Sequence, residues 1–386
     1  MKYSLIIPCY NEGENVERIA GELMRCLPAD GDWNIWFMDD STDDTTARLE
    51  RLSKANARVH YVHRTGERGL SAAVIDGFKT ADGDIFVVMD ADLQHPPEVV
   101  PKLLEQMEES GADIAIPSRF VPGGSDGGLN VFRKLVSWTA RMMAKGALKK
   151  MRRITDPTSG FFAVRRQVVE QAELQPLGWK ILLDILCRCS YRTCIEIPYG
   201  FVARDLGSSK MNLREQWNYI RHLISLIQFS REDARFWMFA LVGLSGAIVN
   251  SAAYVLLVER GAGVNWSFAI ATLLAIVNNF VWNSLYTWRH RQPGRTSGSF
   301  MDAAKRFLRF SAVSLAGLAL AEAGVYIFHG LAGVHYFISG VLGIVISSFW
   351  NFVINDRWTF KKSAAEESHT PDFTPLNAPP AESVGK

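Results

Sequence analysis

The chain has 386 residues, more than one core usually organises, so two or three domains are expected. A formal net charge of +2 gives no field that would gather nucleic acid, and that class of partner is excluded. The five cysteines, Cys9, Cys26, Cys187, Cys189 and Cys194, lack zinc-finger and Cys-x-x-Cys spacing, which argues for reduced thiols in a cytosolic domain.

Up to about residue 200, short apolar runs alternate with amphipathic ones. Tyr3 to Pro8, Ile35 to Met38, Val59 to Val62, Ile85 to Met89 and Asp113 to Pro117 read as strands. Glu14 to Cys26, Asp43 to Ala55, Ser71 to Ala81 and Glu98 to Glu109 read as the helices between them. The first run is too short for a secretory signal and meets Asn11-Glu12 at once, so no signal peptide is expected. The layout is α/β with a mostly parallel sheet, in which ligands sit at the carboxyl ends of strands. Three strands end in polar groups: Tyr10-Asn11-Glu12, Asp39-Asp40-Ser41 and Asp90-Ala91-Asp92. Pro8-Cys9-Tyr10-Asn11-Glu12-Gly13 is not the Gly-x-Gly-x-x-Gly turn of a dinucleotide-binding dehydrogenase.

The stretch Val87 to Pro97 organises the rest. A buried strand stops at Asp90 and Asp92, followed by Gln94 and the helix-starting Pro96-Pro97. Mg²⁺ or Mn²⁺ takes oxygen ligands, keeps some waters and is commonly shared between one or two carboxylates and substrate phosphates. An Asp-x-Asp-x-Gln ending supplies that ligand set for a nucleotide diphosphate.

Ile6-Ile7-Pro8-Cys9-Tyr10-Asn11-Glu12, Asp39-Asp40-Ser41, Gly69 to Val74, Asp90 to Pro97 and Asp156 to Phe162 together resemble the family 2 inverting glycosyltransferases, specifically the dolichyl- or polyprenyl-phosphate mannose synthases. The resemblance implies a Rossmann-like, nucleotide-sugar-binding glycosyltransferase A fold. It implies a nucleoside pocket of Pro8, Tyr10 and Glu12, with Met38 and Asp40 at the base and ribose. Neighbouring strand residues face opposite sides, so Asp39 competes with Asp40 for that role. Asp90, Ala91 and Asp92 would meet the donor, and Asp90, Asp92 and Gln94 would hold the metal. Arg204 and Lys210 match the family's lid over the donor diphosphate. Arg119, Arg133 and Ser137 match its site for the acceptor lipid phosphate, where a guanidinium suits two phosphate oxygens at once. Arg133 and Ser137 lie four apart, on one helical face. Asp156 is assigned a catalytic role, orienting the acceptor or stabilising positive charge on the sugar. The nucleophile, a lipid monophosphate oxygen, is already anionic, so the demand is for in-line placement of two mutually repelling phosphates.

The chain then changes solvent. Met211 to Arg235 reads as amphipathic helices at a membrane surface, with packing on the catalytic domain as the other reading. Phe236 to Val258, Trp266 to Leu285, about Phe310 to Phe328 and Tyr336 to Ile354 are each long enough to span a bilayer. The expected domains are therefore 1–210 catalytic, 211–235 interfacial, 236–362 four-helix transmembrane and 363–386 a disordered tail. Arg289, Arg291, Arg295, Lys305, Arg306, Arg309, Lys361 and Lys362 place the central loop, the tail and the catalytic domain on the cytoplasmic side of a cell membrane. Asn279 to Arg289 aligns with Asn351 to Lys361, and Phe239 to Gly246 echoes Phe310 to Gly317, which indicates two copies of a helical hairpin. This half resembles the small GtrA-like membrane domain found with polyprenyl-phosphate glycosyltransferases. Asn278, Asn279, Asn283 and Glu322 are polar groups within it that either join helices or serve a function.

The expected activity is transfer of a hexose, mannose from GDP-mannose first, to dolichyl or polyprenyl phosphate with inversion. UDP-glucose as donor and a lipid-linked sugar flippase with a degenerate soluble domain are the alternatives. A processive polysaccharide synthase would carry Gln-x-x-Arg-Trp, which is missing. Dolichol against undecaprenol, Mg²⁺ against Mn²⁺, and monomer against homo-oligomer stay open.

Overall fold

The structure, a computed structural model, describes residues 1–66, 68–127, 131–202, 213–289 and 300–360. The chain divides into two compact units, with the boundary in the sequence between Ser230 and Arg231.

The first unit begins with strand β1 (Tyr3–Cys9), helix α1 (Gly13–Cys26), β2 (Trp33–Asp39), α2 (Thr45–Ala55), β3 (Val59–His63), α3 (Leu70–Thr80), β4 (Ile85–Val88) and α4 (Val99–Ser110). There follow β5 (Ile114–Ser118), α5 (Val131–Ala147), β6 (Phe162–Arg165), α6 (Arg166–Glu170), α7 (Ile181–Arg188), β7 (Cys194–Pro198) and α8 (Leu213–Phe229). The seven strands form one sheet in the order β3-β2-β1-β4-β6-β5-β7. Only β6 runs against its neighbours, between β4 and β5. The five expected strands form within a residue or two at each end. Two more, β6 and β7, complete the sheet.

Both faces of the sheet are covered, which is why its strands are apolar at nearly every position. On β1, Ile6 joins one core while Leu5 and Ile7 join the other. On β4, Phe86 and Val88 face the first core, Ile85 and Val87 the second. Met38 falls by the same alternation into the core with Ile6 and Val74, and is fully buried.

Helix α8 is the last element of this unit. Leu223 and Leu226 are buried in its core, the Tyr219 hydroxyl donates to the Ala140 carbonyl of α5 at 2.6 Å, and His222 Nε2 lies 3.0 Å from Asp184 Oδ1 of α7. Packing on the catalytic domain, the second reading of this segment, is thus realised. Trp217, Ile224 and Phe229 remain exposed on it.

The second unit contains α9 (Arg231–Glu259), α10 (Val264–Trp282), α11 (Phe300–Val325) and α12 (Tyr336–Ile354). The last three continue into π-helical turns at Asn283–Thr287, Tyr326–Leu331 and Asn355–Thr359. Counting those turns, all four helices are long and apolar enough to cross a membrane. The first begins at Arg231, five residues before the uncharged stretch opens, so the segment 211–235 divides between helix α8 and the first turns of α9.

The sequence repeat is a structural one. Gly246 of α9 receives the Asn279 side chain of α10, and Gly317 of α11 receives Asn351 of α12; a Cβ on either glycine would lie 2.2 or 2.5 Å from the carboxamide. Asn283 and Asn355 are both buried and both open a π turn that ends on a buried threonine, Thr287 or Thr359. The residues next along, Trp288 and Phe360, stack with ring centroids 4.4 Å apart and planes 4° from parallel. Asn278 Nδ2 donates to Ser245 Oγ at 2.9 Å, so this asparagine joins α10 to α9. Glu322 is exposed on α11.

Candidate active site

The candidate site assembles where the parallel strands end. Strands β1 and β2 end in register, with Pro8 opposite Met38 and Cys9 opposite Asp39. Their loops are stitched together: the Asn11 amide donates to Ser41 Oγ, the Thr42 amide to Asn11 Oδ1 and the Glu12 amide to Thr45 Oγ1. Asn11 takes the left-handed backbone, φ 54°, that this turn needs. Tyr10 is exposed at the rim, whereas Pro8 is buried beneath it. Glu12 precedes α1 without capping it, and its Oε2 accepts from Asn15 Nδ2 at 2.7 Å.

Two aspartates end β2, and both are engaged. Asp40 accepts from Arg64 Nη1 at 2.8 and 2.9 Å and from the Gly69 amide at 2.9 Å. Asp39 accepts from the Ser41 amide, Thr46 Oγ1 and His63 Nδ1. Burial alone would raise the Asp39 carboxyl, but the bonds from Ser41, Thr46 and His63 outweigh it and hold it below the ordinary range. Met38 is a correction: strand alternation turns its side chain into the core, so it offers a nucleotide no side-chain surface. Ala91, also expected at the donor, is buried.

Beyond β4 the chain turns sharply, with Leu93 at φ 60°, a costly conformation for a leucine. That turn lets the Gln94 amide donate to Asp92 Oδ1 at 3.1 Å. The Asp90 amide donates to His95 Nδ1, also at 3.1 Å. His95 is buried among Phe161, Tyr199 and Phe201. Burial, opposed by Asp92 and abetted by Arg119, depresses its pKa to about 4, so the ring is neutral and can accept at Nδ1. Asp92 is buried, whereas the Asp90 carboxylate is about one-third exposed. Gln94 is tied to the segment after β7, its side-chain Nε2 donating to the Val202 carbonyl and its backbone carbonyl accepting from the Val202 amide.

Among the described residues no three His, Cys, Asp or Glu side chains converge as a ready-made metal cage. The donors at this turn are all oxygens, two carboxylates and a carboxamide. They fit a hard divalent cation that takes its remaining ligands from a diphosphate and water.

Two strands away, the chain leaving β5 carries Arg119. Its Nε and Nη2 donate to the Asp156 carboxylate at 2.8 and 3.2 Å, and the Asp156 side chain has no exposed surface. Burial opposes the Arg119 charge, yet Asp156 outweighs it and raises the guanidinium further. Glu196 Oε1 accepts from the backbone amides of Thr155 and Asp156, fixing that carboxylate's approach.

The loop Asp156 to Gly160 joins the two halves. At one end Asp156 holds Arg119; at the other, a Cβ on Gly160 would lie 3.3 Å from Asp90 Oδ2 and 3.4 Å from His95 Cε1. Between them the Thr158 carbonyl accepts from Lys180 Nζ at 3.0 Å. Burial first, and Arg119 second, lower the Lys180 pKa, with Asp156 and Asp90 opposing.

Helix α5 carries Arg133 and Ser137, both partly buried. Arg141, four residues further along, shares their face, donates to the Thr155 carbonyl at 3.3 Å and lies 3.8 Å from the Phe120 ring centroid. That anchors the expected acceptor face of α5 beside the Arg119–Asp156 pair. The helix also leaves Val131, Phe132, Leu135 and Trp138 exposed. Arg204 and Lys210, expected at the donor diphosphate, lie outside the described residues.

Sequence reasoning passed over His95, Arg141, Lys180 and Glu196. His95 lies inside the Asp90 to Pro97 motif, and Arg141 follows Arg133 and Ser137 at i, i+4, i+8 spacing, so both carry a local signal. Lys180 and Glu196 had no local signal, because only the fold brings their segments to the Asp156 loop.

Residues 4–172 match the family described as Glycosyl transferase family 2, and residues 238–360 match GtrA/DPMS, transmembrane domain. Over 360 residues the chain is 42% identical to a dolichol-phosphate mannosyltransferase of Pyrococcus furiosus, spanning 93% of this chain and 99% of that one. It is 34% identical over 241 residues to the Saccharomyces cerevisiae dolichol-phosphate mannosyltransferase, covering 59% of this chain and 88% of the yeast one. It is 37% identical over 224 residues to a polyprenol monophosphomannose synthase of Mycolicibacterium smegmatis, covering 55% and 82%. Among solved structures, glucosyl-3-phosphoglycerate synthase of Mycobacterium tuberculosis is similar at 19% identity with a TM-score of 0.45, over 58% of this chain and 78% of that one, too slight a likeness to bear on the site. With a catalytic sheet that ends in these loops, four membrane-length helices and a relative matched over nearly its whole length, the chain belongs to the dolichol-phosphate mannosyltransferase family of membrane glycosyltransferases.

Proposed function

We propose that this protein transfers mannose from GDP-mannose to the phosphate of a dolichyl or polyprenyl lipid, with inversion at the anomeric carbon. The observation that carries the reading is the single loop that runs from Gly160, where an added Cβ would lie 3.3 Å from the Asp90 carboxylate, to Asp156, which binds the Arg119 guanidinium. A donor diphosphate at the first and a lipid phosphate at the second would meet on opposite sides of one sugar carbon.

In this reading the nucleoside lies over the loops after β1 and β2, against Tyr10 and Glu12, on a floor that Asp39, Asp40, His63 and Arg64 hold rigid. Asp90, Asp92 and Gln94 would hold Mg²⁺ or Mn²⁺, whose charge eases departure of the nucleotide diphosphate. Arg119, Arg133 and Ser137 receive the lipid phosphate. One of its oxygens donates a lone pair to form the new C1–O bond, while the electrons of the old C1–O bond leave with GDP. The attacking oxygen is anionic already, so no general base is required and none is assigned. Asp156 acts through Arg119, whose fork it orients. Inversion of an α-linked donor gives a β-linked lipid phosphate mannose.

The four apolar helices anchor the enzyme in a bilayer, and the exposed apolar residues of α5 and α8 suit the headgroup region where a lipid phosphate is found. The basic loop between α10 and α11 supports a cytoplasmic catalytic unit.

The deciding experiment incubates membranes carrying the protein with labelled GDP-mannose or UDP-glucose and polyprenyl phosphate. Label from GDP-mannose is expected in a mild-acid-labile lipid. Label from UDP-glucose alone would reassign the donor, and no lipid-linked label from either would refute the transfer.

A further inference from the structure

We propose that Lys180 is a further cation, beside Arg119 and Arg133, in the seat of the acceptor phosphate, an inference that rests on the transfer reading above. Among the described residues the Lys180 ammonium makes one hydrogen bond, to the Thr158 carbonyl at 3.0 Å, and no ion pair. An ammonium has three N–H donors, and a partly buried one left short of acceptors is costly unless a ligand supplies them.

The electrostatics of the seat call for this charge. Arg119 commits its Nε and Nη2 to Asp156, and that pair carries no net charge. A lipid phosphate brought beside the donor diphosphate needs net positive charge to offset their repulsion, and a further cation adds to what Arg133 brings. The residue that holds the ammonium is itself joined to the Arg119–Asp156 pair, since Thr158 accepts from Lys180 Nζ at its carbonyl and donates from Oγ1 to Asp156 Oδ1 at 3.5 Å, so Lys180 stands beside the acceptor end of the Asp156 to Gly160 loop. It stands at the start of α7, on a chain segment that none of the expected acceptor residues shares. The chemistry it suits is that of phosphate oxygens; a sugar hydroxyl would not require a cation.

The test compares Lys180→Met, Lys180→Gln and Lys180→Arg in full-length enzyme. KM is measured for polyprenyl phosphate and for GDP-mannose, and equilibrium binding for a short-chain prenyl phosphate with its free alcohol as control. Loss of a charged hydrogen bond predicts a rise in acceptor KM and in prenyl-phosphate Kd of about 10- to 100-fold in Lys180→Met. Donor KM and alcohol binding should stay unchanged, and arginine should restore more than glutamine. A rise in donor KM with acceptor KM unmoved would assign Lys180 to the diphosphate and overturn the proposal. Equal loss of kcat in all three variants with both KM values intact would make it a latch for Thr158 and overturn it too. If the wild type transfers nothing from GDP-mannose, the transfer reading fails by itself. Prenyl-phosphate binding then still decides on Lys180, for it if binding weakens and against it if not.

Discussion

Arg119 grips both carboxylate oxygens of Asp156 in a place where neither side chain reaches bulk water to any extent, the arginine side chain being 10% and the aspartate 0% exposed. The aspartate fixes which edge of the guanidinium faces the cleft. Removing it leaves a buried charge without its partner, which costs about 3–5 kcal/mol. Asp156→Ala is therefore expected to lose transfer and to lower the unfolding midpoint. Asp156→Asn, which keeps shape and one acceptor, should unfold closer to wild type yet transfer at least about 100-fold more slowly, the loss of about 2.7 kcal/mol from the transition state. Calorimetry and initial rates on the same preparations check both, and normal turnover in Asp156→Asn would remove the aspartate from the mechanism.

Gly160 lies against Asp90, and a methyl group there would press on the carboxylate and on His95 at once. Gly160→Ala should leave the fold in place and weaken divalent-metal activation by about 10-fold, a change of about 1.4 kcal/mol. Asp92→Ala should abolish transfer in protein that still folds and inserts. The measurement is a titration of activity with Mg²⁺ and Mn²⁺ after chelation. Full turnover by chelated wild-type enzyme would end the metal assignment.

Burial protects the thiols. Cys189 is pushed up to about 12, mainly by burial, with Asp184 adding to the shift. Cys9 and Cys194 are also raised, by burial first and then by Asp39 and Glu196 respectively. Each stays a neutral thiol well past pH 9, and a neutral thiol is a poor nucleophile. Alkylation of the native protein between pH 7 and 9 should fall first on Cys26, which is partly exposed on α1, and more slowly on Cys194, which is partly exposed but held as the neutral thiol, with the buried Cys9, Cys187 and Cys189 labelled only after denaturation. Mass spectrometry of the labelled protein reads this directly, and rapid native labelling of Cys189 would contradict the burial described.

The division into a parallel-sheet unit and an apolar helical unit followed from hydrophobic runs alone, because strands covered on both faces and membrane-length helices are unbroken apolar stretches. The oxygen-rich turn after β4 announced itself through the order Asp90-Ala91-Asp92-Leu93-Gln94. What stayed hidden depended on contacts between distant segments. Strand β6 is four residues long and antiparallel, inserted between β4 and β5, a placement that no local pattern encodes. Met38 is placed at the base by the family resemblance alone, but its face is set by the period of the strand. Asp40 and Arg119 looked like groups awaiting substrate, and the fold had already given them Arg64 and Asp156.

In the membrane unit, the repeat makes its own prediction. The Asn279 side chain lies against Gly246 and the Asn351 side chain against Gly317, each pair closing one hairpin. In lipid there is no hydrophobic force between helices, so close approach at small residues and side-chain packing hold such hairpins together. A methyl group on either glycine would overlap the carboxamide and force it or the helix aside, an overpacking that costs about 1–3 kcal/mol. Gly246→Ala and Gly317→Ala should each lower the thermal midpoint in detergent by similar amounts, because the two hairpins are equivalent. Replacing the facing asparagine by alanine removes the overlap, so Gly317→Ala with Asn351→Ala should be more stable than the two single losses added together. A double variant that merely sums its singles would show that Gly317 and Asn351 do not hold that hairpin as a pair.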